Sequence, residues 1–373
     1  MEQGKKKVFV GLSGGVDSSV SAALLKRDGY DVTGVFIKAW YPDFLTCTWK
    51  EDRRDAMRVC AVLDIPFLTI DLEKEYKKEV IDYMIREYAE GRTPNPDVMC
   101  NKAIKFGGFF KKARELGADY VATGHYARVV ESRATDADLD GQGGVTSGLL
   151  YKMLEAKDDN KDQTYFLWTL TQEHLAHTLF PVGDLPKSEV RKLAAEFGLP
   201  TATKKDSQGL CFLGKIDLKD FLGHYFKQQQ GDVIDDETGN VVGTHDGAWF
   251  YTIGERRGFT TFADTPDEKP YYIIAKDVKK NTLTVSHRES VDAPLQPTRE
   301  IRITNTNWIT DVAPIRKNIS ARMRYRQELV SCKVGQDADG YFVEFETDQS
   351  IVSAGQSIVF YHNGECLGGA VVE

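Results

Sequence analysis

Strand and helix patterns alternate over the first third of the chain, and this alternation restricts its fold more narrowly than any other feature. The apolar run KKVFVGL predicts a buried strand, and SSVSAALLKRDG predicts a helix that ends at Gly29. DVTGVFIKAW and PFLTID predict two further strands, with the helical pattern KEDRRDAMRVCAVLD between them. Further along the chain, ADYVATGHYARV predicts a strand, KDQTYFLWTL the beginning of a helical stretch, and PKSEVRKLAAEFGLP a helix. Strands that alternate with helices of this length are typical of a parallel α/β sheet, whose sites lie beyond the carboxyl ends of the strands.

The pattern changes near residue 230, where short β-rich runs separated by turn signals such as DETGN and HNGE replace the helices. Many short strands with regular turns are typical of an all-β sheet or barrel. We therefore predict an α/β fold in three domains. A parallel-sheet domain covers residues 1–212, a small β-rich central domain covers 213–295, and a C-terminal β-barrel domain covers 296–373.

Composition and charge are those of a globular protein, with 41% hydrophobic residues and a net charge of −8. The first residues do not have the pattern of a secretion signal, and no apolar run reaches the length of a membrane span, so we expect a cytoplasmic protein without membrane contact. The acidic balance disfavours nonspecific nucleic-acid binding. The segment 299–333 is basic, in contrast to the chain as a whole. Its basic side chains form either a solvated sheet face or a local nucleic-acid contact. They are Arg299, Arg302, Arg316, Lys317, Arg322, Arg324, Arg326 and Lys333.

The segment GLSGGVDSS, which follows the first predicted strand, has the properties of an anion-binding loop. Its glycines permit a tight turn, and the helix that follows directs free N–H groups and its positive dipole end at the loop. The lysine of a P-loop is absent, so the segment is poorly equipped to stabilise charge on a γ-phosphoryl group. It is better suited to hold pyrophosphate as a leaving group, which implies transfer of AMP.

Two of the six cysteines occur in polar, glycine- or proline-containing segments that are not typical of an apolar core. Cys100 is predicted at the start of a helix, where the dipole and the nearby Lys102 and Lys105 favour a thiolate. Cys211 is predicted in a loop with Lys204 and Lys205 upstream. We predict that both thiols are reactive, that Cys60, Cys332 and Cys366 are structural, and that Cys47 lies in a loop.

Seven motifs then identify a resemblance that spans most of the chain: GLSGGVDSS, GRTPNPDVMCNKAIKF, ATGHYAR, KDQTYFLWTL, DSQGLCFLG, YTIGERRG and RYRQ. In this order they resemble the tRNA-specific 2-thiouridylases, a family of PP-loop ATP pyrophosphatases with an adenine nucleotide alpha hydrolase-like fold. The resemblance implies ATP-dependent adenylation of the C2 oxygen of the wobble uridine in tRNAs for Lys, Glu and Gln. A cysteine persulfide then delivers sulfur, giving 2-thiouridine, AMP and pyrophosphate. The implied sulfur donor is a cysteine desulfurase or a relay protein.

The resemblance also implies residue roles. Cys211 carries the persulfide, Cys100 is the partner nucleophile that leaves a transient Cys100–Cys211 disulfide, and Asp97 hydrogen-bonds the uracil edge or assists proton movement. Asp17 is the carboxylate associated with Mg²⁺. The implied ATP-binding residues are Gly11, Leu12, Ser13, Gly14, Gly15, Val16, Asp17, Ser18, Gly124 and Ile37, the last at a position where the family often has methionine. The implied contacts to tRNA and its target base are Asn95, Pro96, Asp97, His125, Lys161, Asp162, Gln163, Arg324, Tyr325 and Gln356.

Two alternatives remain open at this point. Another PP-loop sulfurtransferase, or a ligase acting on a small molecule, explains the loop but leaves the cysteine motifs or the basic segment unexplained. A noncatalytic tRNA-binding protein conflicts with the intact SGGVDS motif and the two cysteines. The polar segment 131–148 matches no family motif and is predicted to be a surface loop without an assigned role.

Overall fold

The computed structural model describes residues 4–45, 49–133, 149–206, 209–262, 269–287, 297–315, 317–350 and 352–373. Cys47, Arg316 and most of the predicted loop 131–148 lie outside the described residues. The strands are β1 (Lys7–Gly11), β2 (Asp31–Lys38), β3 (Phe67–Asp71), β4 (Tyr120–Ala122), β5 (Arg128–Arg133), β6 (Leu149–Leu154), β7 (Thr178–Leu179), β8 (Gly231–Asp235), β9 (Val241–His245), β10 (Thr260–Thr261), β11 (Tyr271–Asp277), β12 (Thr282–His287), β13 (Thr298–Trp308), β14 (Ile319–Arg322), β15 (Val330–Asp337), β16 (Gly340–Gln349), β17 (Ser357–His362) and β18 (Glu365–Val372).

The helices follow the predicted alternation, and two of them contain π-helical segments. Residues 73–89 form one continuous helix, and residues 96–115 form another. The segments are α1 (Val16–Arg27), α2 (Trp49–Val62), α3 (Glu73–Tyr76), the π segment Lys77–Asp82, α4 (Tyr83–Ala89), α5 (Pro96–Met99), the π segment Cys100–Phe109, α6 (Phe110–Glu115), α7 (Gln172–Ala176), α8 (Lys187–Glu196), α9 (Leu218–Gly223) and the 3₁₀ turns Thr164–Phe166 and Ala248–Phe250.

The N-terminal sheet is parallel, with the strand order β3-β2-β1-β4-β7. Because successive side chains of a strand point to opposite faces, β1 contributes to two cores. Val8 and Val10 pack with α1, α2 and α8 on one face. Phe9 packs with the helices 73–89 and 96–115 on the other. This layered arrangement brings the loop after β1 and the loop after β4 to the same edge of the sheet.

The β-rich part of the chain forms two further sheets. Strands β8 to β12 form a mixed sheet, in which β8 and β12 run parallel. The six strands β13 to β18 form an antiparallel sheet that closes into a barrel through the pairing of β13 with β18. The hairpin of β5 and β6, which belongs to the N-terminal part of the sequence, extends this sheet by pairing with β18. The predicted fold class is therefore confirmed.

Three local predictions were wrong. ADYVATGHYARV, predicted as one strand, divides into β4 and β5, which lie in different sheets, with Gly124 and His125 in the turn between them. KDQTYFLWTL forms only a single 3₁₀ turn. The helix predicted to start at Cys100 starts at Pro96, because Asn95 caps it and Pro96 occupies its first turn. Across the ranges given above, no helix combines the length and the apolar character that a bilayer crossing requires.

Candidate active site

The loop after β1 turns tightly and leads directly into α1. Gly14 has a φ of 74°, a left-handed conformation that favours glycine, and Gly15 is the N-cap of α1. The hydroxyls of Ser13 and Ser18 lie 3.3 Å apart, and the Ser18 hydroxyl also accepts a hydrogen bond from the Ser13 N–H. The N–H groups of the first helical turn have no acceptor within the helix, so they form a site for an anion.

Gly124 lies against this loop from the neighbouring strand. A Cβ atom at Gly124 would stand 2.5 Å from the backbone nitrogen of Ser18, so only glycine permits this approach. Leu12 and Val16 are buried in the core beneath the loop. Ile37 is buried near the end of β2. The predicted ATP-binding residues thus come together at the carboxyl edge of the sheet, where their role in binding ATP stays a prediction.

Two side chains that were not predicted at this site, Lys187 and Tyr126, donate hydrogen bonds to Asp17. Both of its carboxylate oxygens accept hydrogen bonds from the Lys187 ammonium group, at 2.6 and 2.7 Å, and one also accepts a bond from the Tyr126 hydroxyl at 2.7 Å. Lys187 is the first residue of α8. A cation in the first turn of a helix is opposed by the helix dipole, and this was the one signal in the sequence that pointed to an acidic partner.

The Lys187 ammonium group also pairs with Asp206 at 3.0 Å. Asp206 receives further bonds from Lys161 at 2.7 Å and Arg191 at 2.6 Å. Partial burial alone would raise the pKa of Asp206, but the bonds from Lys161 and Lys187 prevail and lower it to about 2. Asp206 therefore remains an anion and connects the Asp17 site to the segment that contains Cys211.

The residues around Asp17 do not form a protein-held metal site. Its carboxylate is taken up by Lys187 and Tyr126, and the described ranges contain no group of three His, Cys, Asp or Glu side chains that could hold a metal ion. Mg²⁺ that binds together with a nucleotide takes most of its oxygen ligands from phosphate and water, and only one or two from protein carboxylates. The association of Asp17 with Mg²⁺ therefore stays a prediction.

The fold brings Cys100 and Cys211, which are 111 residues apart in the sequence, into contact. Their sulfur atoms lie 3.0 Å apart, and both thiols are free. Two contacts fix the backbone of Cys211: its N–H donates to the Asp97 carboxylate at 3.0 Å, and its carbonyl accepts from the Tyr76 hydroxyl at 2.6 Å. Burial raises the pKa of Asp97, although the bond from the Cys211 N–H opposes this.

The two thiols differ in pKa, and the thiol expected to ionise at the helix start, Cys100, is the one with the higher pKa. Cys100 is fully buried in an apolar core, and burial raises its pKa well above the usual value. The hydrogen bond from Cys100, followed by the charge of Lys105, lowers the pKa of Cys211 despite its burial. Cys211 is therefore the thiol of the pair that ionises first. The expectation that the helix start would favour a thiolate at Cys100 does not hold, because burial raises its pKa and Cys100 lies a full turn inside its helix.

The lysines predicted to lie near the cysteines have different surroundings. Lys102 is exposed. Lys204 pairs with Asp52 and Asp55 on α2, each at 2.8 Å, rather than with Cys211. Lys105 is the lysine whose charge lowers the pKa of both thiols. Its ammonium group lies 3.1 Å from Nε2 of His125, whose Nδ1 lies 2.8 Å from the Thr123 hydroxyl.

The predicted tRNA-binding residues of the N-terminal domain are largely engaged inside the protein. His125 is only 7% exposed. Lys161 pairs with Asp206, as described above. The Asp162 carboxylate accepts bonds from the Ala156 N–H and the Thr164 hydroxyl, and the Gln163 side chain accepts from the Tyr126 N–H. Contact of these residues with tRNA stays a prediction.

The predicted residues of the barrel are more accessible. Arg324 is exposed, and Tyr325 packs against Phe166 with ring centroids 4.6 Å apart. The Gln356 side chain donates to the Thr93 carbonyl at 2.9 Å, beside the loop that contains Asn95, Pro96 and Asp97. Much of the basic segment is neutralised internally, because Arg299 pairs with Asp348, Arg302 with Asp337, and Arg322 with Glu155.

Family models match nearly the whole chain. They are described as a tRNA methyl transferase HUP domain over residues 6–215, a tRNA methyl transferase PRC-barrel domain over 219–287, and an aminomethyltransferase beta-barrel domain over 298–372. Among solved structures, the chain is similar to the U34-tRNA thiolase NcsA from Methanococcus maripaludis. That match has 17% identity, covers 60% of this chain and 67% of that one, and has a TM-score of 0.35.

Curated relatives are much more similar. The tRNA-specific 2-thiouridylase MnmA of Christiangramia forsetii is 43% identical, over 98% of this chain and 100% of its own length. The MnmA proteins of Bacillus cytotoxicus and Francisella tularensis subsp. holarctica are each 45% identical over 98% of this chain, and over 94% and 99% of their own lengths. At this identity and coverage, the chain belongs to the tRNA-specific 2-thiouridylase family.

Proposed function

We propose that this protein is a tRNA-uridine 2-sulfurtransferase, which uses ATP to replace the C2 oxygen of the wobble uridine by sulfur. The observation that carries the proposal is the contact of Cys100 with Cys211, 3.0 Å apart and bonded through the Cys211 backbone to Asp97. The names of the relatives give the substrate class. The proposed acceptors are the tRNAs for Lys, Glu and Gln, and the sulfur donor is a cysteine desulfurase or a relay protein.

In the first step, the C2 oxygen attacks the α-phosphorus of ATP, the bond to the bridging oxygen breaks, and pyrophosphate leaves. The first turn of α1 and the Ser13 and Ser18 hydroxyls hold the pyrophosphate. Lys187 supplies the positive charge that the loop lacks, because its ammonium group already lies at Asp17. Mg²⁺ bound to the phosphates would neutralise part of their charge, and Asp17 is the carboxylate that we propose is associated with it.

In the second step, the outer sulfur of a Cys211 persulfide attacks C2, and AMP leaves. The Cys100 thiolate then attacks the inner sulfur of Cys211. The S–S bond of the persulfide breaks, its electron pair remains with the sulfur on C2, and a Cys100–Cys211 disulfide forms. A thiol reductant returns both cysteines to the reduced state. The short distance between the two thiols supports this exchange, which needs a second thiol to release the sulfur.

The raised pKa of Cys100 fits this order of events. Burial keeps Cys100 protonated while Cys211 takes up sulfur, so that Cys100 does not release it early. Its proton leaves when it attacks, and the carboxylate nearest to the pair is Asp97, which we propose accepts this proton or contacts the uracil edge. The target base must leave the stack to reach the site. Asn95 and Pro96 lie beside Asp97 at the start of the helix 96–115 and are proposed to contact it.

The proposal is tested by incubating the protein with ATP, Mg²⁺, a persulfide source and unmodified tRNA, and measuring 2-thiouridine by nucleoside mass spectrometry. Cys211→Ser and Cys100→Ser should each reduce the product below detection. Cys332→Ala is the control, because Cys332 is buried in the barrel and takes no part in the reaction. Full activity in both serine variants would show that the persulfide mechanism is wrong.

A further inference from the structure

Lys105 lies at the two thiols because its helix is wound unusually. In an α-helix, residues five apart point in different directions, because each residue advances by about 100°. The segment Cys100–Phe109 is π-helical, and the Phe110 N–H bonds to the Lys105 carbonyl five residues earlier. Residues five apart therefore lie on one face, which places Lys105 one turn from Cys100 on the side that faces Cys211. Such segments occur frequently at functional sites.

The groups around Lys105 favour its charged form and leave sulfur as its counterion. Burial opposes the charge, but Cys211, Cys100 and Asp97 together raise the pKa of Lys105. The charge of Lys105 in turn lowers the pKa of Cys211. Within the described ranges, no carboxylate forms an ion pair with Lys105. An ammonium group that is half-buried and has no carboxylate partner is costly unless another anion compensates it. The Cys211 sulfur, which lies 3.0 Å from the Cys100 sulfur one turn away, can supply that negative charge when it ionises.

His125 holds the ammonium group in place. Burial, and then the charge of Lys105, lower the pKa of His125 well below its usual value, so the imidazole is neutral. A neutral imidazole has one donor and one acceptor nitrogen. Lys105 has only donors, so Nε2 accepts from its ammonium group at 3.1 Å, and the Nδ1–H donates to the Thr123 hydroxyl at 2.8 Å.

We propose that Lys105 is a catalytic residue whose ammonium group holds the sulfur of Cys211 as an anion, with His125 as the residue that positions it. In the resting protein the anion is the thiolate, which attacks the sulfane sulfur of a donor persulfide. The donor S–S bond breaks, a new S–S bond forms to Cys211, and the donor leaves as a thiolate. Lys105 then pairs with the persulfide anion, and this second stage rests on the proposed function.

The experiment measures how fast iodoacetamide alkylates Cys211 as a function of pH, by peptide mass spectrometry, without ATP or tRNA. The pH of half-maximal rate should rise by about one unit or more in Lys105→Met, which is a loss of about tenfold in thiolate at a fixed pH. Lys105→Arg should retain most of the wild-type value. Lys102→Met is the matched control, because it removes the same charge from an exposed position of the same helix, and it should leave the value unchanged.

An unchanged half-maximal pH in Lys105→Met would overturn the proposal. Circular dichroism establishes that each variant is folded. If Lys105→Met does not fold, His125→Asn provides the test, because it leaves the lysine present but displaces it, and an unchanged value there would equally overturn the proposal. The outcome is separable from the proposed function, because a wild-type protein that forms no 2-thiouridine can still show the effect of Lys105. Conversely, an active enzyme whose alkylation ignores Lys105 contradicts this inference alone.

Discussion

At the scale of single residues, two cysteines of the same chemistry have different roles because of their surroundings. Cys100 is surrounded by an apolar core, and its pKa is raised by burial. Cys211 receives a hydrogen bond from Cys100 and faces Lys105, and its pKa is lowered. The pair therefore contains one thiol that ionises readily and can accept sulfur, Cys211, and a second thiol that stays protonated, Cys100. This arrangement depends on a neutral, buried His125, and this gives a prediction about stability.

His125 should make the folded protein less stable as the pH falls. Its pKa in the fold is lowered well below the value of about 6.5 in the unfolded chain. Below pH 6.5 the unfolded chain therefore binds a proton that the folded protein does not, and the free energy of unfolding falls by up to about 1.4 kcal/mol per pH unit. Urea unfolding between pH 7.5 and 5 should show a shallower decline in His125→Asn. The exposed His362→Asn should follow the wild type, and a parallel decline in all three proteins would contradict a neutral His125.

At the scale of elements, the sequence predicted those parts that depend on local pattern. The alternation of β1, α1, β2, α2 and β3 follows from hydrophobic periodicity, and the loop after β1 follows from its glycines. The π-helical winding after Cys100 has no such pattern, because it is stabilised by packing against the core. Lys187 was overlooked for a similar reason. Its helix was predicted, but the partner of its side chain, Asp17, lies 170 residues away in the sequence.

Replacing Lys187 should weaken the nucleotide site. Lys187→Met removes the charge that compensates Asp17 and that we propose faces the pyrophosphate, so ATP affinity should fall by about tenfold, or about 1.4 kcal/mol. Isothermal titration calorimetry measures this directly. Lys192→Met is the control on the same helix, because Lys192 is exposed and, among the described residues, its ion-pair partner is Glu189. Equal ATP affinity in the two variants would exclude Lys187 from the site.

At the scale of the whole molecule, the barrel supports the catalytic domain. The Thr93 N–H donates to the Ala354 carbonyl, and the Gln356 side chain donates to the Thr93 carbonyl, so the barrel fixes the loop before Asn95. The hairpin of β5 and β6 joins the barrel from the N-terminal side. The sequence predicted separate domains but not these contacts, because pairing between distant strands leaves no local signal. For the same reason the sequence overstated the free charge of the basic segment, because the acidic partners of its arginines lie elsewhere in the sequence.

The exposed Arg324 should contribute to tRNA binding through phosphate. Arg324→Ala should weaken binding, and the slope of log K against log salt concentration should become smaller by about one. Arg302→Ala is the matched control, because the Arg302 guanidinium is held by both oxygens of Asp337 and is already neutralised. Filter binding of unmodified tRNA at several salt concentrations measures both slopes. An unchanged slope in Arg324→Ala would remove that residue from the interface.

The central claim is that sulfur passes through Cys211 and is released by Cys100. Mass spectrometry of peptides from enzyme that is quenched during turnover, with ATP, tRNA and a persulfide source, tests it most directly. The account predicts that the Cys211 peptide gains the mass of one sulfur atom and that the Cys100 and Cys211 peptides become linked by a disulfide as 2-thiouridine forms. In Cys100→Ser the adduct in which Cys211 is joined through the persulfide sulfur to C2 of the uridine should accumulate without product. Formation of 2-thiouridine with no added sulfur on Cys211 at any time would contradict the account.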